Sequence, residues 1–345
     1  MGPAYGRSLR VVPLPPKLVR RVTTVPLFMF VALAAMAIAP IAWLVALVID
    51  LPMRHRWKLS RFVGLAFVWA FAEVVGILAL FLLWVVGGFS LLFHLRIFED
   101  IHYAMLGIWM NVMVWVLRQA LGIRIEYDHA EPIPHGAALI FARHAGPADS
   151  LLLVNGLLGV ARRPRIVAKA ALQWDPFVDV AANRVFFHFV DHRQPREAEL
   201  ANIAQLAATM GDDGAFLLFP EGGNFTEGRR EKAITSLERK GLDAYAEAAR
   251  DMPHLLPPRP NGALTALEAA PDASVVMLGH TGLEDVQGPK DIWSSVPFDE
   301  PVHVRTWVVP PSGRAPADDR EAQIEWLFRW WATVDRWIGT YRAGA

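Results

Sequence analysis

The chain contains no cysteine in its 345 residues. That excludes a disulfide framework, a thiolate metal site, an iron–sulfur cluster and a thiol nucleophile. Acidic side chains are scarce at one end: residues 1–61 hold nine Lys/Arg and one Asp, so a formal net charge of zero hides a basic head and an acidic remainder. Charged residues make up only 20% of the chain and hydrophobic ones 54%. Such a balance is too apolar for an ordinary water-borne domain.

Much of the excess lies in two runs. Residues 26–49 carry no charge at all, and in residues 62–93 the only ionisable group is Glu73. Each exceeds the roughly 20 apolar residues needed to cross a hydrocarbon core. The sequence therefore predicts a two-helix transmembrane hairpin, with Glu73 neutral, paired or turned into protein rather than lipid. Arg7, Arg10, Lys17, Arg20 and Arg21 before the first run narrowly outweigh Arg54, Arg56, Lys58 and Arg61 between the runs. By the positive-inside rule both the N-terminus and everything after residue 95 are expected in the cytoplasm. Residues 101–117 are short for a span and contain Tyr103, Trp109, Asn111 and Trp115, which suits a helix at the membrane surface. The expected division is a basic segment and hairpin over 1–95, an interfacial helix over 96–120 and a further domain over 121–345.

After Arg118 the pattern changes. Short apolar runs at 123–127, 138–142, 165–168, 185–190, 215–219, 274–278 and 302–309 are bounded by turn residues and predict strands. Helix-length segments at 149–158, 195–210, 231–250 and 320–338 lie between or after them. The alternation points to an α/β domain. Pro257, Pro258 and Pro260 read as a surface turn.

In an α/β sheet, residues just past the strand ends gather at one crevice. His144 follows the strand at 138–142, and Asp149 opens the next helix. On a continuous helix these positions would point apart; across a turn made by Gly146 and Pro147, Asp149 can orient one imidazole nitrogen while the other meets a substrate, as a general base requires. Lys169 and Arg193 follow two later strands as candidate anion-binding cations, and Phe219-Pro220-Glu221-Gly222-Gly223-Asn224 follows another. The glycines let backbone N–H groups approach an anion. His280, with no partner at useful spacing, reads as structural.

His144-x4-Asp149, the later Arg193 and the Phe219-Pro-Glu221-Gly222 block, in this order, resemble the glycerolipid (lysophospholipid) acyltransferase family. Weaker similarity extends over Leu256-Pro-Pro258-Arg259-x-x-Gly262 and a last helix with Trp326-Leu327 and Trp331-x-x-x-Asp335-Arg336, and is nearest to the lysophosphatidic acid and lysocardiolipin branch. The resemblance implies a glycerolipid-acyltransferase-type α/β domain. It also implies fatty acyl transfer from a thioester, acyl-CoA or acyl carrier protein, to a lysophospholipid hydroxyl such as that of 1-acylglycerol-3-phosphate. His144 would be the base and Asp149 its orienting partner, without an acyl-enzyme, a metal, a cofactor or a nucleic-acid partner. Membrane lipids would be the surroundings and the acceptor. The family block commonly continues Glu-Gly-Thr-Arg, its Arg holding the acceptor phosphate; here Gly223 and Asn224 stand instead, and Arg143 stands where Asn often precedes the His. Phosphate binding would then pass to Lys169, Arg193, Arg259 or the Arg229/Arg230 pair, or else the acceptor is not lysophosphatidic acid. Two rival readings are a metal-assisted phosphoester hydrolase using His144, Asp149, Asp191, His192 and Glu221, and a lipid-binding or scaffold protein with a degenerate acyltransferase domain.

Overall fold

The computed structural model describes residues 14–53, 56–146, 149–160, 162–190, 195–284 and 288–342. Three long helices open the chain: α1 (Lys17–Met53), α2 (Lys58–Val86) and α3 (Arg96–Leu121). Seven strands then form one sheet: β1 (Ile125–Tyr127), β2 (Ala138–Ala142), β3 (Arg163–Lys169), β4 (Phe187–Val190), β5 (Gly214–Leu218), β6 (Ser274–Thr281) and β7 (Val302–Val309), in the order β1-β7-β6-β2-β5-β3-β4. Neighbours are parallel except β6 and β7. The remaining helices are α4 (Asp149–Gly159), α5 (Pro176–Ala182), α6 (Arg196–Ala208), α7 (Glu227–Glu238), α8 (Asp243–Arg250), α9 (Pro260–Ala269), α10 (Pro289–Ser295) and α11 (Arg320–Arg342).

The central strands read as continuous apolar runs because both faces of the sheet are covered. Side chains alternate across it: Leu139, Phe141, Phe216, Val275 and Met277 face a core closed by α6, α8, α9 and α11. Ala138, Ile140, Ala142, Leu217, Val276 and Leu278 face a second core closed by α2, α3, α4 and α5. This places the C-terminal ends of β5, β2 and β6 side by side.

All seven predicted strands are present, with boundaries differing by a few residues. The single helix predicted over 231–250 is two, because Gly241 adopts a left-handed φ of +68° that ends the first. Three short helices were not foreseen. One of them, α5, carries a legible start signal: the Asp175 side chain accepts a hydrogen bond from the Val178 N–H at 2.8 Å and Pro176 occupies the first turn. Pro257 and Pro258 are buried rather than on a surface turn, and Pro260 begins α9.

All three N-terminal helices are long and apolar enough to cross a membrane. The third is more than an interfacial helix: Leu106, Trp109, Met110 and Met113 pack into the second core while Ile108 and Trp115 stay exposed. Glu73 is indeed turned into protein, its Oε2 accepting from the Phe177 N–H at 3.3 Å. The α1–α2 hairpin touches the α/β domain at both ends. At its open end Arg20 and Arg21 pair with Asp179. At its tip Arg56 pairs with Asp299 at 2.8 Å, Lys58 donates to the Trp293 carbonyl at 2.9 Å, and Phe62 stacks on Trp293.

Candidate active site

Immediately past β2 the chain stays buried. Arg143 continues the ladder, its N–H donating to the Leu278 carbonyl at 2.9 Å. The fully enclosed Arg143 guanidinium pairs with Glu284 and donates to the His280 carbonyl and, at 2.9 Å, to that of His254. The position where Asn is common in the resembled family therefore holds an internal ion pair. Removing one partner of such a pair typically costs about 3–5 kcal/mol.

His144 is fixed on three sides. Its N–H donates to Glu221 Oε1 at 2.8 Å, its carbonyl accepts from the Phe225 N–H at 2.8 Å, and its ring stacks on Phe219 at a centroid distance of 4.4 Å. Nδ1 lies 3.3 Å from Asp149 Oδ2. The same oxygen accepts from the Gly146 N–H at 2.7 Å, which fixes the carboxylate at the head of α4. The His–Asp approach across a turn is thus present, although Pro147 lies outside the described residues. Burial pushes the Asp149 carboxyl upward, but the neighbouring His280 and the hydrogen bonds from His144, His280 and Gly146 hold it well below the usual carboxylate range. With Nδ1–H directed to Asp149, the lone pair of Nε2 is left for a substrate proton.

Local spacing gives His280 no partner. The partner is Asp149 itself, whose Oδ2 lies 3.4 Å from His280 Nε2. No local spacing could show this, because it depends on β6 lying beside β2.

Glu221, expected to bind substrate, is an internal clamp. It is 1% exposed, and its second oxygen accepts from the Leu256 N–H at 3.0 Å. It thereby ties the end of β5 to the end of β2 and to the segment before α9. Burial pushes its carboxyl up to about 7, against the pull of the His144 N–H and Arg143. Phe219 supports the His144 ring, and the buried Pro220 accepts from the Arg259 N–H at 2.8 Å.

The exposed part of the block is the turn that follows. Gly222 has a φ of +69°, and the Cδ, Nε and Nη1 atoms of Arg259 lie 3.1–3.3 Å from where a Cβ would stand. Glycine is needed there both for the backbone and for the arginine lying across it. Arg229 flanks the other side, donating to the Asn224 carbonyl at 2.9 Å. Arg230, by contrast, is committed to the carbonyls of Met252 and Arg250 near the end of α8, at 2.9 and 2.8 Å, so it is not a free phosphate ligand. Lys169 is exposed at the end of β3. Arg193, Asp191 and His192 lie outside the described residues. Among the described residues no group of His and carboxylate side chains has the geometry to hold a metal ion.

A cavity of about 250 Å³ lies between α4 and the β1/β7 side of the sheet, walled by residues such as Leu153, Leu157, Leu217, Leu278 and Val304. Asp149 and His280 are in its lining and His144 is not.

Residues 124–270 match the family model described as Acyltransferase. They are an acyltransferase-family domain. The chain is 28% identical over 140 residues to lysocardiolipin acyltransferase 1 of Danio rerio, a stretch covering 40% of this chain and 36% of that relative. It also resembles the crystal structure of the 1-acyl-sn-glycerophosphate (LPA) acyltransferase, PlsC, from Thermotoga maritima, at 14% identity and a TM-score of 0.44, covering 79% of this chain and 98% of that one. The acyltransferase-family domain holds His144, Asp149, the Phe219–Asn224 block and Arg259; Glu284 and His280 lie beyond its end.

Proposed function

We propose that the chain is a membrane-bound O-acyltransferase that moves a fatty acyl group from a thioester donor, acyl-CoA or acyl carrier protein, to the hydroxyl of a lysophospholipid. The observation that carries this is the His144–Asp149 pair at the end of the middle strand, within a domain of the acyltransferase family. In this scheme His144 Nε2 takes the proton of the lipid hydroxyl, and Asp149 stabilises the resulting imidazolium. The alkoxide oxygen bonds to the thioester carbonyl carbon, the carbon–sulfur bond breaks, and the departing thiolate receives the proton from His144. No acyl-enzyme and no cofactor enters. The Arg259 and Arg229 guanidiniums on either side of Gly222–Asn224 would hold the acceptor's phosphate in place of the arginine the block lacks. The apolar cavity that reaches Asp149 suits an acyl chain.

The hairpin contacts sharpen the membrane reading. An upright span separates its ends by a hydrocarbon core about 30 Å thick, so one water-borne domain cannot rest on both. Because tip and open end both rest on the α/β domain, we place α1 and α2 along the bilayer surface, with Leu27, Phe30 and Leu44 facing lipid, instead of as two upright spans. The cysteine-free chain makes the test clean. Thr23→Cys, in the first turns of α1, and Trp57→Cys, at the tip just before α2, should both react with a membrane-impermeant maleimide from the same side; labelling from opposite sides restores the two-span topology.

The activity itself is tested by giving purified protein one labelled acyl-CoA and a panel of lysolipids with and without phosphate. Acyl transfer by the wild type that is abolished in His144→Ala is the expected result. Transfer by His144→Ala at a comparable rate removes the base assignment.

A further inference from the structure

We infer that His280 is a positioning residue for acyl transfer, holding from a second strand the carboxylate through which His144 acts. The inference rests on the acyltransferase reading. Two donors meet at one oxygen of Asp149, the Gly146 N–H at 2.7 Å and His144 Nδ1 at 3.3 Å, and His280 Nε2, which hydrogen-bonds the Arg143 carbonyl, lies 3.4 Å from the same oxygen. The other oxygen, Oδ1, is buried and has no hydrogen-bond partner among the described residues. The orientation of the carboxylate is therefore set entirely at Oδ2, and His280 is one of the two side chains that set it.

His280 is itself rigidly placed. It is 3% exposed, its Nε2 also lies 3.2 Å from the Arg143 carbonyl, and the Arg143 guanidinium holds its backbone oxygen. Glu284 pairs with that guanidinium from beyond β6. A continuous chain of polar contacts thus runs from Glu284 through Arg143 and His280 to Asp149 and His144. It joins the ends of β6 and β2 to the head of α4. A buried carboxylate with one bare oxygen is sensitive to such support, since few donors share its desolvation.

A second imidazole does more than a neutral donor would. The groups facing it are Asp149 on α4, Arg143 at the end of β2, Glu284 beyond β6 and Glu221 beyond β5. Burial opposes a proton on His280 and Arg143 adds to that opposition; Asp149 and Glu284 favour it, and the balance lies above the ordinary histidine value. Among the described residues Nδ1 has no partner, so it is the nitrogen that takes up the proton on acidification. Once charged, His280 competes with the His144 ring for the same carboxylate.

The test compares wild type, His280→Ala and His280→Gln in the acyl-CoA assay and by 15N-histidine NMR of the detergent-solubilised full chain. Losing one polar contact to a charged group predicts that His280→Ala lowers kcat about tenfold or more while KM changes little. His280→Gln, which keeps a donor but cannot titrate, should recover most of kcat at pH 8. The fall of kcat towards low pH should be shallower in this variant than in the wild type. The NMR arm needs no turnover: the His144 ring resonances should shift in the wild type as His280 takes up its proton, and that shift should vanish in His280→Gln. An unchanged kcat in His280→Ala overturns the inference. Should His280→Ala fail to fold, a His280→Gln pH profile and His144 resonances identical to those of the wild type overturn it equally. A wild type inactive on every lysolipid defeats the acyltransferase reading instead, and the NMR titration still decides whether His280 and His144 share Asp149.

Discussion

The two halves of the site are built differently. On one side His144, Asp149, His280, Glu221 and Arg143 are almost wholly enclosed, and nearly every polar atom that orients His144 has a protein partner. On the other, Gly222 and the Arg259 and Arg229 side chains lie open to solvent, held mainly by their backbones. The enclosed half fixes one ring nitrogen in direction and protonation state, a task that needs low dielectric and many constraints. The open half offers cations to a ligand that must arrive and leave. Energetically this makes the first half intolerant of change and the second adjustable, because removing one partner of an exposed charge pair costs about 0–1 kcal/mol and of a buried one about 3–5 kcal/mol.

The largest effect should therefore come from the enclosed half without any change of shape. Asp149→Asn keeps an oxygen for the Gly146 N–H but removes the charge that both imidazoles face. The rate of acyl transfer is expected to fall by about two orders of magnitude or more, since the ring loses its orienting charge and the imidazolium its partner. Single-turnover measurements with excess acceptor isolate the chemical step. A near-normal rate would reduce Asp149 to a helix-start residue and dissolve the contrast between the halves.

The contrast also explains what could be read from the sequence. The strands were legible because their runs are bounded by turn residues, and the central ones because they are buried on both faces. His144 and Asp149 were legible because a strand, a turn and a helix start lie within a few residues. His280 was not: its partner comes from β2's side of the β2–β6 pairing, which no local pattern encodes. Glu221 was misassigned for a related reason. A carboxylate in a glycine-rich block resembles a ligand group, yet its role depends on the Leu256 N–H arriving from another loop. Arg230 resembled its neighbour Arg229 until the end of α8 claimed it. The apolar runs announced long helices by composition alone, while their contacts with the α/β domain are made through Asp179 and Asp299, far away in sequence.

The smaller effect should come from the open half. Arg259 lies across Gly222 with its side chain exposed, beside the turn where the resembled family carries its phosphate-binding arginine and this chain has Asn224. If it serves the acceptor's phosphate, Arg259→Ala should raise KM for a phosphate-bearing lysolipid about three- to tenfold, the range set by a largely solvated ion pair, and leave kcat nearly intact. A phosphate-free acceptor of the same chain length should be unaffected. Adding Asn224→Arg to the Arg259→Ala variant should recover much of the lost KM, because a guanidinium would again reach the turn from the neighbouring position. Equal losses for both acceptors would show that Arg259 only packs over Gly222, and the phosphate would then have to be held from another strand end.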